Sequence, residues 1–164
     1  MVLIWLDTPV YWPVEKGQDL DLPKLRISLQ SRNLRGPWTE RILSLQDQDR
    51  KVTHVVVHLQ LTSWPGSSFP SSPSQFLSLV NETWTLYKQQ RSLSHHIVVH
   101  CSSGIGRSGL FVVILLALGD INSGRGIPGV YYHIIKQCCH QRNPGPEGTT
   151  YLYEYMGFPE QSKS

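Results

Sequence analysis

The residues best suited to chemistry lie in one short stretch built around a cysteine and an arginine. Arg107 follows Cys101 by six positions, and Ser108 comes directly after the arginine. A thiolate is a strong nucleophile, and a planar guanidinium can bind two oxygens of one phosphate group. The pattern predicts in-line attack of sulfur on phosphorus, giving a cysteinyl-phosphate that water hydrolyses without a cofactor or metal. The alternative is a buried structural cysteine beside a helix cap.

Apolar runs flank this stretch and must position it. Residues 97–99 are typical of a buried strand, and residues 110–118 are typical of a buried helix. A tight loop between a strand and a helix directs backbone N–H groups at one point, which favours a dianionic phosphate. The residues predicted to bind phosphate are Ser102, Ser103, Gly104, Ile105, Gly106 and Arg107.

Composition narrows the class of protein. The 164 residues suffice for one globular core, and the formal net charge of +3 is carried by scattered basic residues, so we expect no nucleic-acid partner. Three cysteines, two of them adjacent, favour a reducing compartment. The longest apolar run, at residues 110–118, is about half the length of a membrane span. The N-terminal residues include no basic segment, so we expect no secretory signal. We therefore expect a cytoplasmic protein without a membrane span.

Apolar patterning predicts strands at residues 2–6, 25–29, 39–45 and 55–61. We expect the last two to form an antiparallel hairpin with one face on the core. Residues 17–21 are polar, and we expect an exposed connection there. Because the first strand begins almost at the first residue, the sequence favours a domain that is truncated at its N-terminus.

A helix is predicted to follow Ser72, which offers an N-cap, with Pro73 at the first helical position. Gln75 completes a capping box, and the helix should continue as far as Gln89. Four apolar residues recur at three- and four-residue steps and should face the core, namely Phe76, Val80, Trp84 and Tyr87.

The C-terminal part predicts two further helices, an amphipathic one over residues 130–138 and a short one within residues 149–158. Residues 159–164 form a polar tail. We therefore expect a single domain over residues 1–158, followed by that tail.

The segment from His100-Cys101 to Arg107-Ser108 resembles the signature of the cysteine-based protein tyrosine phosphatase family, His-Cys-x5-Arg-Ser/Thr. Other motifs occur in the order that this family shows, namely Tyr11-Trp12-Pro13, His58-Leu59, Trp64-Pro65 and the helix start after Pro70. The resemblance covers the later part of the family's domain. It implies an α/β fold, with a mixed twisted sheet and flanking helices.

The resemblance also implies roles for the site residues. Cys101 would be the nucleophile, Arg107 would bind the phosphate and the transition state, and Ser108 would donate a hydrogen bond to the thiolate. The substrate would be a phosphotyrosine protein or peptide. Residues 40–46 and 100–104 look most like the His-domain non-receptor type that works in endosomal sorting, which implies endosomal-sorting partners and association with endosomes.

Three departures from the family pattern bear on turnover. The family's general acid is an aspartate directly after a Trp-Pro pair, but Gly66 follows Trp64-Pro65 here. Loss of a general acid costs about a hundred- to ten-thousandfold in rate. Ser103 replaces the family's usual alanine, and residues 144–150 hold no glutamine to place the hydrolytic water, with Glu147 as the nearest stand-in. The sequence leaves two hypotheses, a weak phosphatase and a catalytically impaired pseudophosphatase that binds phosphate or acts as a scaffold.

His54 and His58 lie four residues apart and share a face of the predicted strand. Metal ligation is one interpretation of that spacing, but no third ligand is spaced with them. We therefore interpret them as structural or surface histidines and predict no metal site.

Overall fold

The computed structural model of the chain describes residues 2–5, 9–64, 70, 72–90, 95–102, 106–124 and 153–154. Within these residues, seven strands form one mixed sheet and two helices pack on it, which confirms the expected α/β class. The elements are β1 (Val2–Trp5), β2 (Asp19–Leu22), β3 (Leu25–Leu34), β4 (Trp38–Asp47), β5 (Thr53–Leu61), α1 (Pro73–Lys88), β6 (Val98–Val99), α2 (Gly106–Asn122) and β7 (Tyr153–Glu154).

The order of strands in the sheet is β2-β3-β4-β5-β1-β6-β7. The first strand of the chain lies between β5 and β6 and pairs with both in parallel. The carboxyl ends of these three parallel strands therefore meet at one edge of the sheet, where the segments after β5 and β6 also emerge. Among the described strands, β6 is next to last in this order.

Strand β2 corrects the expectation of an exposed connection at residues 17–21. It is exposed, but it pairs antiparallel with β3 at the edge of the sheet. Asp21 accepts a hydrogen bond from Arg26 at 2.7 Å, and Asp19 accepts one from Ser28 at 2.6 Å. Cross-strand polar pairs replace apolar alternation at this edge, so the sequence pattern gave no signal for a strand.

The hairpin of β4 and β5 is confirmed as antiparallel, but the expectation that only one face meets the core is wrong. Leu59 and Leu61 face the helices, whereas His58 is also fully buried on the opposite face of β5. Burial on both faces is confined to the later part of β5, since Val55, near the start of the strand, is 69% exposed. Trp12 packs over the second face, with its ring 4.7 Å from that of His58.

Helix α1 begins as predicted. Ser72 is its N-cap, its hydroxyl accepts a hydrogen bond from the backbone N–H of Gln75 at 3.4 Å, and proline occupies the first turn. The four residues of the predicted apolar face are all buried.

Phe76 joins three parts of the core. Its ring meets Trp64 edge-on at 5.4 Å and Phe111 of α2 edge-on at 5.9 Å. Such aromatic pairs contribute about 0.5–1.5 kcal/mol each beyond the burial of their area. Trp64, three residues beyond the end of β5, is thereby packed through Phe76 against α2, the helix that follows Cys101.

The expectation of a helix within residues 149–158 is wrong for its two described residues, because Tyr153–Glu154 pair with β6 as a strand. Backbone pairing with a strand far away in sequence here overrides the local pattern. The helix predicted at residues 130–138 and the tail at residues 159–164 lie outside the described residues. Neither α1 nor α2 is long and apolar enough to cross a membrane.

Candidate active site

Cys101 lies at the carboxyl end of β6, and α2 begins five residues later at Gly106. The cysteine, Arg107 and Ser108 are all buried. The predicted order of strand, loop and helix is therefore confirmed, and it places these three residues at the junction between β6 and α2. Ser102 is exposed, whereas Ser103, Gly104 and Ile105 lie outside the described residues.

The first turn of α2 contributes the arginine and the serine. The N–H groups at the start of a helix have no partner within the helix and carry partial positive charge, so this end of α2 favours an anion. Arg107 adds a full positive charge at the same end. The arrangement suits a phosphate group held in front of a cysteine.

Ser108 presents a hydroxyl that is completely buried. Its Oγ has no hydrogen-bond partner in the part of the chain that the structure describes. A buried hydroxyl without a partner is unfavourable, since it has lost its hydration. The structure shows no hydrogen bond from this hydroxyl to Cys101, so its donation to a thiolate there stays a prediction.

Tyr11 is a site residue that sequence reasoning treated only as part of a turn and a family motif. Its hydroxyl lies 2.6 Å from Nε2 of His100, the residue before the cysteine. Burial lowers the pKa of His100 and raises the pKa of Tyr11, so both groups are neutral near pH 7. The hydrogen bond thus holds the ring of the residue that precedes the predicted nucleophile.

A second layer of side chains supports this pair. Trp12 lies 4.7 Å from the His58 ring and 4.8 Å from Cζ of Arg41. Burial lowers the pKa of His58 to about 3, and the charges of Arg41 and His100 add to the effect. We call Tyr11, Trp12, Arg41, His58 and His100 the histidine cluster.

The two histidines of β5 do not act together, because His54 is exposed and His58 is buried. The described residues hold no group of three or more histidine, cysteine, aspartate or glutamate side chains arranged to bind a metal ion. Trp64 is buried just beyond β5, and Pro65 and Gly66 lie outside the described residues.

Comparison with known proteins gives a family match over most of the chain. The family model described as Protein-tyrosine phosphatase matches residues 6–155. Tyrosine-protein phosphatase non-receptor type 23 of Homo sapiens is 39% identical over 118 residues, which are 72% of this chain and 7% of that protein.

Other relatives align over a similar share of the chain. Non-receptor type 20 of Homo sapiens is 30% identical over 63% of this chain and 24% of its own length. Non-receptor type 61F of Drosophila melanogaster is 33% identical over 64% of this chain and 20% of its own length. The chain therefore spans at most about a quarter of the length of each of these relatives.

Proposed function

The chain belongs to the protein-tyrosine phosphatase family, and from that membership we propose that it binds phosphotyrosine and attacks the phosphorus with Cys101. The observation that carries the proposal is the burial of Cys101, Arg107 and Ser108 together where β6 leads into α2. The proposed substrate is a phosphotyrosine protein or peptide.

The proposed reaction has two steps. The Cys101 sulfur forms a bond to phosphorus while the bond from phosphorus to the tyrosine oxygen breaks. Arg107 binds two phosphate oxygens through its planar guanidinium, and backbone N–H groups of residues 102–106 bind the others. Ser108 donates a hydrogen bond to the thiolate. Water then attacks the cysteinyl-phosphate, which releases inorganic phosphate and returns the cysteine.

We propose that the first step is slow with phosphotyrosine. The tyrosine oxygen leaves as a strong base unless an acid protonates it, and Gly66 follows Trp64-Pro65 where the family has its acid. Glycine has no proton to give. Turnover should therefore depend strongly on how stable the leaving group is without protonation.

The second candidate function is a pseudophosphatase that binds phosphate or acts as a scaffold. Gly66 favours it, and so does the lack of glutamine in residues 144–150. Both candidates use the same cysteine loop, so they differ in release of phosphate and not in binding.

Two substrates separate the candidates. We would compare an aryl phosphate whose leaving group needs no protonation with a phosphotyrosine peptide, using wild type and Cys101→Ser. Turnover of the aryl phosphate alone, lost in Cys101→Ser, would indicate a live nucleophile without an acid. Binding of the peptide with no turnover of either substrate would rule out the enzyme.

Restoring the acid gives the sharper test. Gly66→Asp should raise activity on the peptide by about a hundredfold or more, with a smaller effect on the aryl phosphate. Ser68→Asp is the matched control, because it adds the same charge two residues away. Equal activity of Gly66→Asp and wild type on the peptide would show that the missing acid is not the main defect.

We further propose a cytoplasmic location, since the relatives are named non-receptor phosphatases. The resemblance to the His-domain type extends this proposal to endosomes and endosomal-sorting partners. Imaging of the tagged chain against endosomal markers tests it, and a diffuse signal would remove the endosomal part.

A further inference from the structure

Two arginines lie side by side on adjacent strands, and neither has an acidic partner within the described residues. Arg32 of β3 and Arg41 of β4 are directly opposite in the strand register. Neither forms an ion pair within the described residues, whereas Arg26 contacts Asp21 at 2.7 Å and Arg35 contacts Glu40 at 3.3 Å. Like charges directly opposite each other destabilise a sheet, so this pair needs a physical explanation.

Arg41 makes the pair more unusual because it is buried. The residue is only 7% exposed, and its Nη1 has no hydrogen-bond partner among the described residues. Burial lowers the pKa of Arg41 to about 10, and the nearby charge of Arg32 adds to the effect, but the group stays charged near pH 7. Buried charges in proteins are normally paired, and an unpaired one is costly.

Trp12 packs against one face of the Arg41 guanidinium. The Arg41 Cζ atom lies 4.8 Å from the centre of the Trp12 ring, so the ring covers the guanidinium from one face. Stacking on an aromatic ring uses the face of a guanidinium, whereas its N–H groups point outward in the plane. Arg32 is exposed, so its flexible side chain can approach the same edge from solvent.

We propose that Arg32 and Arg41 form a second anion site, which binds a phosphate dianion supplied as free phosphate or as a phosphorylated side chain. Two guanidinium groups match a doubly charged anion with several acceptor oxygens better than they match a single carboxylate. The site is distinct from the cysteine loop, because β5 and β1 lie between β4 and β6. Three strand spacings correspond to roughly 14 Å. The proposal does not depend on phosphatase activity.

The test follows the Nε–H signal of Arg41 by nitrogen-edited NMR of the full chain, with the signal assigned through Arg41→Lys. Inorganic phosphate should shift this signal saturably. Arg32→Gln should weaken binding measured at Arg41 by about tenfold, since one charge-assisted donor pair is lost. Arg50→Gln is the matched control, because it removes the same charge from an exposed residue in the turn after β4 that forms no ion pair within the described residues, and it should change binding less than about twofold.

The sources of the anion are separated by repeating the titration with a phosphoserine peptide. Tighter binding of the peptide than of inorganic phosphate would assign the site to phosphorylated proteins, and equal binding would assign it to the free anion. A signal of Arg41 that phosphate does not shift would overturn the proposal. The same shift in wild type and Arg32→Gln would also overturn it. Since Arg32 is exposed, its variant should fold, and the aryl phosphate assay reports separately on the cysteine loop.

Discussion

The Tyr11 hydroxyl and Nε2 of His100 are 2.6 Å apart although 89 positions separate the two residues in the chain. The bond joins the segment after β1 to the residue that precedes Cys101. It therefore couples a turn near the N-terminus to the geometry of the predicted nucleophile.

Removal of this bond should affect both stability and the site. Tyr11→Phe leaves a buried imidazole nitrogen without its partner, which should lower the free energy of unfolding by about 1–3 kcal/mol. It also releases the ring beside Cys101, so the pH dependence of Cys101 alkylation, followed by peptide mass spectrometry, should change. A double-mutant cycle with His100→Asn should give a coupling energy of about 1 kcal/mol. Additive effects of the two substitutions would contradict a direct interaction.

The buried His58 should make stability depend on pH. The pKa of His58 is about 3 in the folded chain and 6.5 for a histidine free in water, so between these values the unfolded chain binds more protons. The free energy of unfolding should therefore fall as the pH falls through this window, by up to about 1.4 kcal/mol for each pH unit. Denaturant titrations at several pH values between 7 and 4 measure the slope.

The control for this slope comes from the same strand. His58→Phe removes the titrating group and should flatten the dependence, whereas His54→Phe changes an exposed histidine and should leave the slope intact. A slope that persists in His58→Phe would assign the acid sensitivity to other groups of the histidine cluster.

Ser108 should matter for turnover and little for stability. Its buried hydroxyl has no described partner, so Ser108→Ala should change the free energy of unfolding by less than about 1 kcal/mol. If the hydroxyl stabilises the thiolate, turnover of an aryl phosphate should fall by about a hundredfold. Ser123→Ala, just beyond the other end of α2, is the control and should keep full turnover. Large destabilisation by Ser108→Ala would instead indicate a structural role.

Phe76 should contribute strongly to the free energy of unfolding through its aromatic contacts. Phe76→Ala should cost about 3–5 kcal/mol, because it opens a cavity between Trp64 and Phe111. Leu77→Ala, on the next position of α1, removes a side chain that is 46% exposed and should cost far less. Similar losses in the two variants, measured by denaturant unfolding, would contradict the packing described here.

Features encoded by neighbouring residues were predictable from the sequence. The cap at Ser72 and the order of strand, loop and helix around Cys101 follow from local rules of capping and hydrophobic period, and both are confirmed. The resemblance to the phosphatase family is confirmed as well, by the match over residues 6–155. The edge strand β2 was missed because polar cross-strand pairs, and not apolar residues, hold it in place.

The sequence by itself predicted the candidate site of this protein, since a cysteine, an arginine and a serine at fixed spacing in one short stretch need no distant partner to be recognised. Only the tertiary structure decided that Tyr11 bonds to His100, that His58 is buried under Trp12, and that Arg32 faces Arg41. The physical reason is that strand order and register set these contacts. A periodic pattern shows which face of a strand is apolar, but it does not show which distant strand or turn will lie against that face.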